Sequence, residues 1–130
     1  MASRLTEVIF DCHDLARSSN FWCNALGYEQ VSSGDGWIAI RDLSVELTDE
    51  MLSDAPQSPA LAFVLVPEDK ILKNRVHIDL TPIDCSQEEE VRRLVELGAH
   101  RIDIGQRDTS WIVMADPEGN EFCVMQSIIE

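Results

Sequence analysis

The sequence predicts an α+β fold made of two βαβββ repeats that form a cupped mixed sheet around a central cavity. Three observations lead there. First, a strand, a helix and three further strands can be read twice along the chain. Second, matching residues recur: Glu7 with His77, Asp14 with Asp84, Leu26-Gly27 with Leu97-Gly98, and Trp37 to Asp42 with Trp111 to Asp116. Third, one such unit cannot cover its own sheet, so two should pair around a shared concave surface. A chain of 130 residues with 45% hydrophobic content suffices for one domain with a core. We place unit one at about residues 4–66, a connector at 67–74 and unit two at 75–130, in a single domain spanning 1–130.

Each element has a local reason. Residues 5–12 alternate, with Glu7, Ile9 and Asp11 on one face and Val8 and Phe10 on the other. Asp14 is an N-cap; Leu15, Ser19, Trp22, Ala25 and Leu26 form one helical face, and Gly27 ends the helix. Tyr28 to Ser32 reads as a strand, Gly34-Asp35-Gly36 as a turn, and Trp37 to Arg41 as a strand with Trp37, Ala39 and Arg41 on one face. Residues 42–60 have no clean period and read as an excursion, in which Leu43 to Leu47 could be a short strand and Asp49 to Asp54 a helical turn. Leu61 to Val66 is an apolar strand closed by Pro67.

The second unit opens on Arg75 to Leu80, a short buried strand that sets His77 and Asp79 on the face opposite Val76, Ile78 and Leu80. Ser86 and Glu89 form a capping box. Val91, Leu94 and Val95 make the buried stripe, and Gly98 stops the helix. Strands follow at Arg101 to Ile104, Trp111 to Ala115 and Glu121 to Gln126, with a strong turn at Asp116 to Asn120. In the last strand Glu121, Cys123 and Met125 oppose Phe122 and Val124.

The totals exclude some functions. A net charge of −14 without a basic stripe argues against nucleic acid and anionic membrane as partners. No apolar run approaches the roughly 18 residues of a membrane span, and the chain runs directly into a strand without a signal peptide. Cys12, Cys23, Cys85 and Cys123 show no CxxC pair and read as free thiols, which points to a cytoplasmic location. Cys12 and Cys85 lack a neighbouring base, and His13 and His100 read as surface or loop residues.

The duplicated unit, with Asp116-Pro117-Glu118-Gly119-Asn120-Glu121-Phe122 before its last strand, resembles the vicinal oxygen chelate superfamily of glyoxalase I, bleomycin-resistance proteins and extradiol dioxygenases. Lys73 to Leu80 and Leu97-Gly98-Ala99 are similar to its glyoxalase-like subgroup. The resemblance covers nearly the whole chain and implies a homodimer that acts on a small-molecule ligand. It also implies a divalent metal (iron, manganese, nickel or zinc) held by Glu7, His77 and Glu121. The fourth ligand place falls on Ala62 if the first unit ends in the strand at 61–66, and on Glu46 if that strand is 43–47.

Two function classes follow. One is a metal-dependent lyase, isomerase or dioxygenase on a small oxygen-rich molecule, with His77 and Glu121 as catalytic residues and a displaced Glu121 as base. The other is a metal-free small-molecule binding or sequestering protein, like the drug-resistance members, in which His77 hydrogen-bonds to Asp79 or Glu121. No metal is as well supported as one. Trp37, Arg41, Asp79, Trp111 and Met125 are the candidate substrate contacts, with Cys123 as further lining. Trp22 belongs to the core stripe.

Overall fold

The computed structural model describes residues 2–44 and 58–129. The chain divides into two compact units, Met1–Pro67 and Glu68–Glu130. Each is a βαβββ module built on a four-stranded mixed sheet. The first contains β1 (Glu7–Cys12), α1 (Leu15–Leu26), β2 (Glu29–Gly34), β3 (Trp37–Arg41) and β4 (Ala60–Leu65), in sheet order β1-β4-β3-β2. The second contains β5 (Ile78–Leu80), α2 (Gln87–Glu96), β6 (His100–Arg101), β7 (Ile112–Ala115) and β8 (Glu121–Val124), in order β5-β8-β7-β6. In both, the first strand pairs parallel with the last, and the other pairings are antiparallel.

In the first unit, the Asp14 carboxylate accepts the backbone N–H of Arg17 at 3.0 Å, satisfying one of the orphan donors of the helix start. Gly27, with φ 73°, ends α1 in the left-handed region where a side chain would strain the backbone. Trp22 and Phe21 on the inner face of α1 are buried. Phe10 stacks on Trp22 at 5.8 Å and on Phe63 of β4 at 5.9 Å. Val8, Phe10 and Cys12 thus face the core and Glu7, Ile9 and Asp11 share the opposite face, as the alternation predicts; that opposite face is exposed rather than covered. Truncating a ring such as Phe63 would cost about 3–5 kcal/mol. Trp37 lies across the backbone of Gly34, its partner in the β2–β3 hairpin, leaving no room there for a side chain.

In the second unit, β8 lies between β5 and β7 and all its residues are buried. Ser86 caps α2 by accepting the N–H of Glu89 at 3.1 Å. Val91 and Leu94 go into the core with Val113, Phe122 and Val124. The turn before β8 closes on Asp116, whose Oδ1 accepts the N–H groups of Glu118 and Asn120, each at 2.9 Å. That side chain is buried and occupied by the two amides it serves.

Several expectations need correction. The strand expected over 75–80 starts at Ile78, and it is not buried: Val76 is 75% exposed, and only Ile78 and Leu80 are partly covered. The unit boundary falls within the connector read at 67–74, between Pro67 and Glu68. The strand at 101–104 shrinks to His100–Arg101, because Asp103 and Gln106 turn the chain by accepting the N–H groups of Gly105 and Ile104. Val95 is half exposed, so the buried stripe of α2 is narrower than its apolar pattern. The strand at 28–32 runs from Glu29 to Gly34 and is exposed along its length. Glu46, residues 45–47 of the strand considered at 43–47 and the helical turn at 49–54 lie outside the described residues.

Candidate functional site

The site-bearing face of the second sheet follows from register. Asp79 pairs with Cys123 across the parallel β5–β8 ladder. His77 stands two residues before Asp79; Glu121 and Met125 flank Cys123 at the same spacing. A two-residue period puts all five on one face, with Ile78, Leu80, Phe122 and Val124 on the other. In that register His77 is level with Glu121.

Three of these side chains converge. One donor atom from each of His77, Asp79 and Cys123 lies within 4.8 Å of the other two, the one such group among the described residues. His77 Nε2 is 3.3 Å from Asp79 Oδ1, and both side chains are well exposed. Cys123 is buried on the central strand. Burial raises its thiol pKa, the nearby Asp79 carboxylate raises it further, and the Lys73 ammonium partly offsets both.

These residues border an open cavity of about 520 Å³. Its apolar wall is made by Ile104, Trp111, Cys123 and Met125, and its polar edge by His77, Asp79 and Gln106. The mix of an apolar wall and a few convergent polar groups is that of a small-molecule site. Trp111, Asp79 and Met125 border it, and Ile104 and Gln106 come to it from a turn whose role no periodicity reveals.

Glu121 is drawn elsewhere. Its Oε1 accepts Lys70 Nζ at 2.7 Å and its Oε2 accepts the backbone N–H of Asn74 at 3.0 Å. Asn74 also donates to Asn120 Oδ1 at 3.0 Å, so two adjacent residues bind the 68–77 segment to the start of β8. Glu121 is only 8% exposed. Burial pushes its pKa up, but the hydrogen bonds from Lys70, from Asn74 and from its own backbone, with the Lys70 charge, outweigh it and hold the carboxyl below its ordinary range. Sequence reasoning missed Lys70; the available signal was a lysine in an acidic chain, in the segment leading to His77.

In the first unit, Glu7 stands on the exposed face of β1. Arg41 ends β3 opposite Glu29, and Trp37 begins it, partly exposed. The register there bears on the fourth ligand place: Glu7 pairs with Ala60 and Ile9 with Ala62. The residue level with Glu7, as Glu121 is level with His77, is therefore Ala60, one pleat from the expected Ala62. Neither alanine offers a donor. Among the described residues the fourth metal place carried over from the resemblance falls on an alanine, and Glu121 has both oxygens engaged, one by a cation.

A family model described as "Glyoxalase-like domain" matches residues 7–125. The chain belongs to the glyoxalase-like domain family. Its two modules have the vicinal oxygen chelate fold. Among solved structures, it resembles the genomically encoded fosfomycin resistance protein FosX from Listeria monocytogenes, complexed with Mn(II) and sulfate ion. That match has a TM-score of 0.67 and 15% identity over 100% of this chain and 94% of the other. A possible glyoxalase from Bacillus cereus matches with a TM-score of 0.63 and 16% identity, over 95% and 99% of the two chains. A glyoxalase/bleomycin resistance/dioxygenase family enzyme from Burkholderia phytofirmans PsJN gives 0.54 and 16%, over 94% and 97%. At these identities the likeness is one of fold. No curated protein sequence matches this chain. No helix among the described residues is long and apolar enough to cross a membrane.

Proposed function

We propose that this glyoxalase-like protein binds or sequesters a small molecule in the cavity of its second unit. The observation that carries this reading is the cavity itself: Trp111, Ile104 and Met125 offer an apolar wall beside the exposed His77–Asp79 pair. The matching ligand is compact and mostly apolar or aromatic, or peptide-like, with a hydrogen-bonding or cationic head for the carboxylate of Asp79. Lys70 supports a binding role over chemistry at Glu121, because its ammonium already neutralises that carboxylate. A soluble cytoplasmic homodimer is part of the same proposal.

The second reading is a metal-dependent lyase, isomerase or dioxygenase, with Glu7, His77 and Glu121 as ligands for iron, manganese, nickel or zinc. What favours it is the likeness of fold to a Mn(II)-bound resistance protein. The engaged Glu121 and the alanines of β4 weigh against it.

A thermal-shift screen of aromatic and peptide-like compounds, run with chelator present, tests the first reading. A binder at a hundred times its Kd should stabilise the protein by about 2.7 kcal/mol. The Trp111→Ala variant should bind it roughly tenfold to a hundredfold more weakly, since about 100 Å² of apolar contact at about 25 cal/mol per Å² is lost. A screen without binders, or a Trp111→Ala variant that binds equally well, rejects it.

A further inference from the structure

We propose that His77, Asp79 and Cys123 form a site for one thiophilic divalent ion of the zinc and cobalt class, on the floor of the second-unit cavity. The donor set is new: it shares only His77 with the set carried over from the family, and it leaves Glu121 to Lys70.

Geometry is the first support. Ligand bonds of about 2.0–2.2 Å around a tetrahedral ion put neighbouring nitrogen and oxygen donors about 3.3–3.6 Å apart. His77 Nε2 and Asp79 Oδ1 stand at 3.3 Å. The sulfur of Cys123 completes a triangle with every side within 4.8 Å. The sulfur is buried on the interior strand β8, whereas the His77–Asp79 pair is exposed beside it. The register that pairs Asp79 with Cys123 sets their side chains next to each other on one face of adjacent strands.

Chemistry decides the ion. A thiolate with an imidazole and one carboxylate suits zinc and cobalt. Magnesium and calcium are hard cations that take all-oxygen shells, and the imidazole and thiolate here are poor donors for them. Binding removes the thiol proton to solvent and forms the metal–sulfur bond. Three protein donors leave a fourth position open toward the cavity, where water or an oxygen of the bound molecule can stand. The inference goes beyond the binding function proposed above, since the cavity can hold a molecule with or without the ion.

The test is spectroscopic and uses the whole chain, stripped with chelator and kept reduced, with no organic ligand added. Cobalt(II) should bind one equivalent and give a thiolate-to-cobalt charge-transfer band with the visible bands of a tetrahedral ion. Zinc should abolish both; excess magnesium should leave them unchanged. Cys123→Ser should lose the charge-transfer band. His77→Ala and Asp79→Ala, at exposed positions that leave the fold intact, should each weaken cobalt binding at least about tenfold. Absence of the band, its persistence in Cys123→Ser, or unchanged affinity in both exposed variants would overturn the proposal. The ligand screen runs in chelator, so either conclusion can fail alone.

Discussion

Replacing Lys70 by methionine isolates the interaction that sequence reasoning did not find. The change keeps most of the aliphatic stem and removes the ammonium that contacts Glu121 Oε1 at 2.7 Å. Glu121 is 8% exposed and Lys70 25%. Removing one partner of a fully buried pair costs about 3–5 kcal/mol. The Asn74 N–H stays on Oε2 and Lys70 is partly solvated, so we expect about 2 kcal/mol. For a chain of this size that lowers Tm by about 6–10 °C.

The pH dependence gives a second readout. The folded-state pKa of Glu121 is lowered, so its ionised form stabilises the protein above the unfolded value of about 4.3 and loses that effect as pH falls through the folded value. The gap in stability between wild type and Lys70→Met should therefore be steady from neutral pH down to about 5 and narrow below it. Lys70→Met combined with Glu121→Gln should recover part of the loss, because no buried charge is left unpaired. Urea denaturation followed by circular dichroism across this pH range measures both effects. A cost under about 0.5 kcal/mol with an unaltered pH profile would refute the ion pair as a structural element.

Other outcomes follow from single side chains. Asp116→Ala leaves the N–H groups of Glu118 and Asn120 without their acceptor, and should cost about 2–3 kcal/mol in denaturant titrations. Asp14→Ala removes the cap of α1 and should cost about 1 kcal/mol by the same assay, while Asp14→Asn should cost much less. Phe63→Ala takes out a buried ring shared by β4 and the Phe10 stack and should cost about 3–5 kcal/mol, with a loss of near-ultraviolet ellipticity.

What the sequence revealed was what local chemistry determines. The caps at Asp14, Gly27 and Ser86 need only their neighbours, and the turn at Asp116 closes within five residues. The alternation of β1 survived because Phe10 on one face packs on Trp22 of α1 while Glu7, Ile9 and Asp11 on the other stay exposed. Interactions set by distant pairing were harder to see. Lys70 and Glu121 are 51 residues apart, and no periodicity links them. Cys123 could be put on the right face, yet its meeting with Asp79 depends on the β5–β8 register, which alternation alone leaves open by whole pleats. The same freedom left the fourth ligand place between Ala62 and Glu46, whereas Glu7 itself pairs with Ala60.

The central claim is that the second-unit cavity is where a small molecule binds. Chemical-shift mapping of the 15N-labelled protein, titrated with a binder from the thermal-shift screen in the presence of chelator, tests it most directly. We expect the largest shifts at the backbone amides of Ile104, Gly105, Gln106 and Met125 and at the Trp111 indole N–H, all bordering the cavity. Shifts confined to residues of the first unit, such as those around Trp37 and Arg41, would contradict it.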